Sequence, residues 1–192
     1  MVLKRREILK AAVLGSSSIA LSAASLQKTA ANTNREPADI LIVGAGNAGI
    51  PAAIEAADLG AKVILIEKNN FIGGMLIVSG GHISGANAKM QMRKNIKDSY
   101  EKHYQDAMKI GKYQANSELL SIATENAASM IDWLEEIGVE FTEDSPMLED
   151  DHDHYSVPRT YVGKDLARSL LRPLNKELNK RIKKGNLQVL LD

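Results

Sequence analysis

Two short runs of uninterrupted apolar residues, Ile40-Leu41-Ile42-Val43 and Val63-Ile64-Leu65-Ile66, flank an alanine-rich segment from Ile50 to Leu59. Continuous apolar runs bounded by glycine predict strands buried on both faces, here Asp39–Val43 and Lys62–Glu67. The segment between them predicts a helix that Gly60 closes. Pro51 falls in its first turn, where a missing N–H costs little. Strand, helix and strand within about thirty residues form a parallel βαβ unit. Further along, Lys89–Lys97 reads as surface loop or helix, and Ser99–Ile110 as helix. Ser117–Ile137 is a second helix: Leu119, Leu120, Ala123, Ala127, Met130, Ile131, Leu134 and Ile137 recur at helical spacing before Gly138. Residues 141–155 are acidic and loop-like. Residues 163–184 predict a helix kinked or broken at Pro173, and Leu187–Leu191 a final strand.

The elements add up to a layered α/β domain with a parallel sheet, with an inserted helical region over residues 90–155 that leads into a cap. Three segments follow: residues 1–31, a linker at 32–38, and the domain at 39–192. The first segment pairs a basic stretch, Lys4-Arg5-Arg6, with a small-residue apolar run from Ala11 to Ala24. It resembles a twin-arginine export signal, which implies a periplasmic protein; a short basic amphipathic tail is the alternative. The apolar run is too short for a stable membrane span.

Composition narrows the chemistry. With no cysteine, thiolate metal sites, iron–sulfur clusters and cysteine nucleophiles are excluded. Lysine plus arginine equals aspartate plus glutamate at 24 each, and aromatics make up only 4%, so neither a basic surface nor a stacking platform for nucleic acid is expected.

Gly44-Ala45-Gly46-Asn47-Ala48-Gly49 follows the first strand and opens the first helix, and Glu67 ends the second strand. That context makes the spacing a dinucleotide fingerprint. Gly44 permits the turn, Gly46 lets backbone approach a pyrophosphate, and Gly49 lets helix and sheet pack closely. The helix N-terminus supplies partial positive charge. Glu67 is placed to accept from ribose hydroxyls and disfavours a 2′-phosphate, hence NADP. Two further glycine clusters, Gly73-Gly74 and Ser79-Gly80-Gly81, follow within a stretch of almost no charge, and an NAD domain has no need of them.

From Asp39 to Ala86 the chain resembles the FAD-binding entry of the fumarate reductase/succinate dehydrogenase flavoprotein family. Residues 155–170, "YSVPRTYVGKDLARSL", resemble the segment where such chains return to the FAD domain. The resemblance implies a Rossmann-like, here incomplete, FAD-binding fold. Gly44, Ala45, Gly46, Asn47, Ala48 and Gly49 would face the FAD pyrophosphate, Glu67 the ribose, and Lys68 the adenine half. Gly73, Gly74 and Met75 would pass the pyrophosphate and ribityl chain, and Ser79, Gly80 and Gly81 the isoalloxazine. Members with covalent FAD carry histidine where this chain has Gly74, so non-covalent FAD is expected.

The implied reaction is hydride transfer between flavin and an activated carbon–carbon bond of a small carboxylate or ketone, with room for an electron-transfer partner. The family's acid and base lie beyond these residues, so the sequence names no catalytic residue. Two alternatives remain: a truncated FAD-binding fragment without turnover, and a non-enzymatic periplasmic nucleotide-binding protein. His152 and His154 sit in a solvated acidic loop and predict no metal site. Arg159 is read as touching flavin or substrate, or as holding its loop. Arg168, Arg172, Lys176 and Lys180 read as a solvated face.

Overall fold

A computed structural model describes residues 37–148 and 155–192, all within one unit, Pro37–Asp192. The export-type segment and His152 and His154 lie outside the described residues. Strand β1 (Ile40–Val43), helix α1 (Gly49–Asp58) and strand β2 (Val63–Glu67) form the expected βαβ unit. A 3-10 turn, Gly74–Val78, leads to β3 (His82–Ser84), followed by α2 (Lys89–Arg93), α3 (Tyr100–Ile110) and α4 (Ser117–Glu136). The chain ends with β4 (Thr160–Val162), α5 (Ala167–Lys184) and β5 (Leu187–Leu191).

The main sheet has the order β1-β2-β5, with both pairs parallel. Its α1-facing side carries Val63, Leu65 and Leu187, which are buried against Ile50, Ala53, Ile54 and Ala57 of α1 and Leu170, Leu174 and Leu178 of α5. Alanine at the buried positions of α1 lets the helix lie close to the strands that flank it. One ion pair ties the ends of this layer, Arg181 of α5 to Asp58 of α1.

Three expectations are corrected. β1 is not buried on both faces: Leu41 is 60% and Val43 77% exposed, because among the described residues β1 stands at the sheet edge and helices cover only one side. The break considered at Pro173 is absent: α5 runs continuously from Ala167 to Lys184 with the proline inside it. The core stripe of α4 is narrower than read: Thr124, Ala127, Ile131 and Leu134 are buried, whereas Leu119 and Met130 are exposed. The sequence also gave no sign of the small antiparallel pair β3–β4, in which His82 pairs with Val162 and Ser84 with Thr160.

The helices of residues 89–136 are capped and clipped by side chains. Ser99 accepts from the Lys102 N–H at the start of α3, and Asn116 from the Leu119 N–H at the start of α4. Arg159 lies fully buried beside β4. Its Nε and Nη2 donate to Asp98 at 2.9 and 2.8 Å, and its Nη1 donates to Asp106 at 2.8 Å. The Tyr155 ring lies against the guanidinium, with 5.1 Å from its centroid to Cζ. The loop-holding role considered for Arg159 is therefore the one its geometry supports. It joins β4 to α3 and to the turn before it.

Candidate functional site

At the carboxyl end of β1 the chain turns through Gly44, whose φ is +100°, and enters α1 at Gly49. A Cβ on Gly49 would lie 1.8 Å from the Gly44 carbonyl oxygen, so only glycine lets the turn close. Around Gly44 and Gly46 the reverse holds: a Cβ at either would meet no atom of the described residues within 4 Å. Their bare backbone borders open space. Unlike α3 and α4, α1 has no side-chain cap, so its first turn directs its partial positive charge to that space without a competing oxygen.

Glu67 closes the cradle from below. Its Oε2 accepts the Ala45 N–H at 2.8 Å, and its Oε1 accepts from the Asn69 backbone N–H at 3.0 Å and side-chain amide at 2.8 Å. These hydrogen bonds, led by that of Ala45, hold the carboxyl below its ordinary pKa of 4.5.

The second glycine cluster is drawn onto the first. The Gly73 N–H donates to the Ala45 carbonyl at 2.7 Å, and Gly74, with φ +52°, stands so close that its Cβ would be 3.3 Å from the Gly46 Cα. Met75 is exposed, as is Lys68. The third cluster has a different demand. A Cβ on Gly81 would lie 2.6 Å from the Leu166 carbonyl carbon and 2.8 Å from the Ala167 nitrogen. The start of α5 thus requires Gly81 to be bare, independently of any ligand. Ser79 donates its hydroxyl to the Leu76 carbonyl at 3.1 Å, and beside it Gly80 packs near the His82 ring.

Two clefts adjoin these segments. One of about 450 Å³ lies at the carboxyl ends of the three parallel strands and is lined by Val43, Gly44, Ile66, Glu67, Lys68 and Leu190. That end of an open parallel sheet is where nucleotides bind. The other, about 950 Å³, meets the site at Asn47, Ala48, Ser79 and Gly81 and follows the outer stripe of α1 through Pro51, Ala52 and Glu55. His82 and Trp133 also line it; sequence reasoning had assigned neither. The spacing 48, 51, 52, 55 is a helical stripe opposite the core stripe 50, 53, 54, 57, and it was readable in the sequence.

A parallel βαβ unit with a glycine-only turn, an uncapped helix end and an acid at the tip of the second strand defines a dinucleotide-binding protein. Comparison with known proteins agrees and sharpens this. Residues 39–184 match the FAD binding domain family, and the chain belongs to that family.

Its relatives include the cytochrome-type fumarate reductase of Shewanella frigidimarina, 36% identical over 117 residues, which cover 61% of this chain and 20% of the relative. The NADH:fumarate oxidoreductase of Klebsiella pneumoniae is 35% identical over 156 residues, 80% of this chain and 16% of the relative. Among solved structures, the open conformation of a flavocytochrome c3 fumarate reductase matches with a TM-score of 0.70 and 26% identity, covering 100% of this chain and 30% of that one. The chain thus spans about a fifth of the length of the curated relatives it matches.

FAD is the cofactor of the family. The residues present fit it: Gly44 and Gly46 border open space at the uncapped first turn of α1, and Glu67 stands at the tip of β2 beside them.

Proposed function

We propose that this chain is the nucleotide-holding part of a fumarate reductase-type oxidoreductase, carrying FAD without a covalent bond. The observation that supports it best is the pair Gly44 and Gly46, bare where the protein has no atoms of its own to accommodate. Gly44, Ala45, Gly46, Asn47, Ala48 and Gly49 would hold the pyrophosphate against the first turn of α1. Glu67 would hold the ribose, with Lys68 exposed beside it. Gly73, Gly74 and Met75 would follow the phosphates and ribityl chain, and Ser79, Gly80 and Gly81 the ring. When bound, FAD supplies a two-electron carrier for hydride transfer at a carbon–carbon bond activated by a carboxylate or ketone.

The protein's part is to orient the cofactor, neutralise its phosphates with backbone dipoles and keep the glycine loop rigid through Glu67. The substrate class is a small unsaturated carboxylate or ketone, by analogy with relatives named for fumarate. A periplasmic location, reached through the twin-arginine-like segment, and an electron-transfer partner belong to the same reading. Among the described residues no helix is long and apolar enough to cross a membrane.

The visible spectrum of the purified chain tests this. Flavin bands that bleach with a reductant and recover with fumarate support the oxidoreductase. Bands that no acceptor perturbs reduce the reading to a flavin-binding module, and a colourless protein that takes up no added FAD overturns it.

A further inference from the structure

Helix α5 gathers positive charge on one face. Arg168, Arg172, Lys176 and Lys180 follow one another at four-residue steps, Lys183 joins the same side, and all are exposed. At helical geometry these cations share about a third of the circumference over about 22 Å. The opposite face holds Leu170, Leu174 and Leu178 in the core. Asp165 pairs with Arg168 and Arg172 at 3.6 and 3.2 Å, and Glu177 with Lys180. By contrast α4 carries Glu118, Glu125, Asp132, Glu135 and Glu136 and no cation. A chain of formal net charge zero thus separates its charges by element. Like charges four residues apart on a helix repel, so the stripe is held at a cost to the helix itself. What it supplies is a field of one sign that steers an oppositely charged partner.

The stripe starts where α5 meets the second and third glycine clusters. A Cβ on Gly81 would lie 2.8 Å from the Ala167 nitrogen, and one on Gly73 would lie 3.3 Å from Leu171 Cδ1. The Gly163 N–H also donates to the Gly81 carbonyl at 3.2 Å. Arg168 and Arg172 immediately follow Ala167 and Leu171 in the chain. The two glycine segments assigned above to the ribityl chain and the ring therefore rest on the end of α5 where the cations begin.

We propose that the outer face of α5 is the docking surface for an acidic electron-carrier protein, which seats carboxylates on Arg168, Arg172, Lys176, Lys180 and Lys183. Charge complementarity selects the partner's sign, and the abutting glycine segments select its task. Two one-electron carriers are each oxidised by one electron, and with one proton from water they reduce one flavin by two electrons. A nucleic acid is the weaker occupant, because the chain as a whole has no excess of cations and its aromatics make up only 4%. Exposed charges of this kind raise the rate of encounter more than they tighten the final complex, which suits a carrier that must leave again. The inference names the partner of the proposed oxidoreductase and rests on that reading.

The test titrates the full 192-residue chain with an acidic plant-type 2Fe–2S ferredoxin and follows the heat of binding. Affinity should fall at least about tenfold between about 20 and 200 mM salt. The double variant Lys176→Glu/Lys183→Glu should weaken binding at least about tenfold while its melting curve stays in place. Lys102→Glu, on α3, should bind as the wild type does. In the flavin-loaded chain the double variant should slow bleaching by reduced ferredoxin at least about tenfold and leave photoreduction unchanged. Absence of binding, or a double variant that binds normally, overturns the inference. So does short duplex DNA that binds at least as tightly, since the stripe would then serve any polyanion. A salt-sensitive dimer of the chain alone, seen by light scattering and lost in the double variant, would assign the stripe to a second copy and overturn it as well. A colourless chain that still binds ferredoxin through the stripe keeps the docking surface and removes the flavin reading, so the two failures are distinguishable.

Discussion

The backbone N–H of Ala45 donates to Glu67 Oε2 at 2.8 Å, across 22 residues of chain, and so ties the tip of β2 to the glycine turn after β1. The acid that would meet the ribose is therefore also the clasp of the phosphate loop. Replacing it by glutamine keeps the shape, but an amide has one acceptor oxygen and cannot serve both the Ala45 N–H at Oε2 and the Asn69 donors at Oε1. Glu67→Gln should weaken FAD binding about tenfold or more, since hydrogen bonds to charged groups are stronger than neutral ones. Equilibrium dialysis of the flavin checks this. The carboxyl is held below its ordinary pKa of 4.5, so its contribution is present above pH 4.5 and lost as pH falls through the lower folded value. Below pH 4.5 the wild-type melting temperature should therefore drop more steeply than that of Glu67→Gln.

Two glycines that look alike in the sequence should behave oppositely when given a methyl group. A Cβ on Gly46 meets nothing, whereas on Gly81 it meets Leu166 and Ala167 inside 3 Å at a φ of +72°. Gly46→Ala should fold with a melting temperature close to the wild type in the absence of FAD, yet bind FAD at least about tenfold more weakly, because the methyl occupies ligand space. Gly81→Ala should lower the melting temperature even without FAD, because the start of α5 must move. Calorimetry with and without cofactor separates the two. If Gly46→Ala bound FAD normally, the cradle would not be where it is placed here.

Gly74 carries the expectation of a releasable flavin. Its φ of +52° and its approach to Gly46, 3.3 Å from a would-be Cβ, leave little tolerance for the histidine of covalent relatives. Denaturing acid should release all flavin to the supernatant, and the precipitated protein should be colourless. Retained yellow colour in the pellet would sink the expectation.

The βαβ unit was legible because it rests on local signals: apolar runs, a glycine turn and an acid at a fixed distance. Its exposure was not, because an apolar run says that a strand needs cover and not whether cover is present within the same residues. Leu41 and Val43 carry that difference. Within the glycine clusters, spacing did not tell which positions face a ligand and which face protein; Gly46 and Gly81 part only in three dimensions. β3 and β4 are three residues each, too short for periodicity to show. The partners of Arg159 lie 61 and 53 residues away, and no local pattern announces such a pair.

That buried ion pair makes the strongest stability claim. Arg159 and Asp98 are both fully buried, so removing the guanidinium strands a carboxylate without water. Arg159→Leu should cost about 3–5 kcal/mol, the usual range when one partner of a buried pair is deleted. Adding Asp98→Asn, which removes the orphaned charge, should recover part of the loss. Urea denaturation of the single and double variants checks this. A single variant as stable as the wild type would mean the pair is not formed in solution.

His103, next to that pair, sets the response to mild acid. Its ring is buried edge-on to Tyr155 with a centroid distance of 5.4 Å, and Nδ1 has no hydrogen-bond partner among the described residues. Burial first, and the Arg159 charge second, push its pKa from 6.5 down to about 4. The unfolded chain therefore binds a proton here that the folded chain refuses. By linkage, stability from this residue is complete above pH 6.5 and falls progressively as pH drops toward 4. The wild-type melting temperature should decline across that window. His103→Gln, which cannot take up the proton, should start from a lower melting temperature for lost packing but show a flatter profile between pH 6.5 and 4. Parallel slopes for the two proteins would exclude His103 as the source.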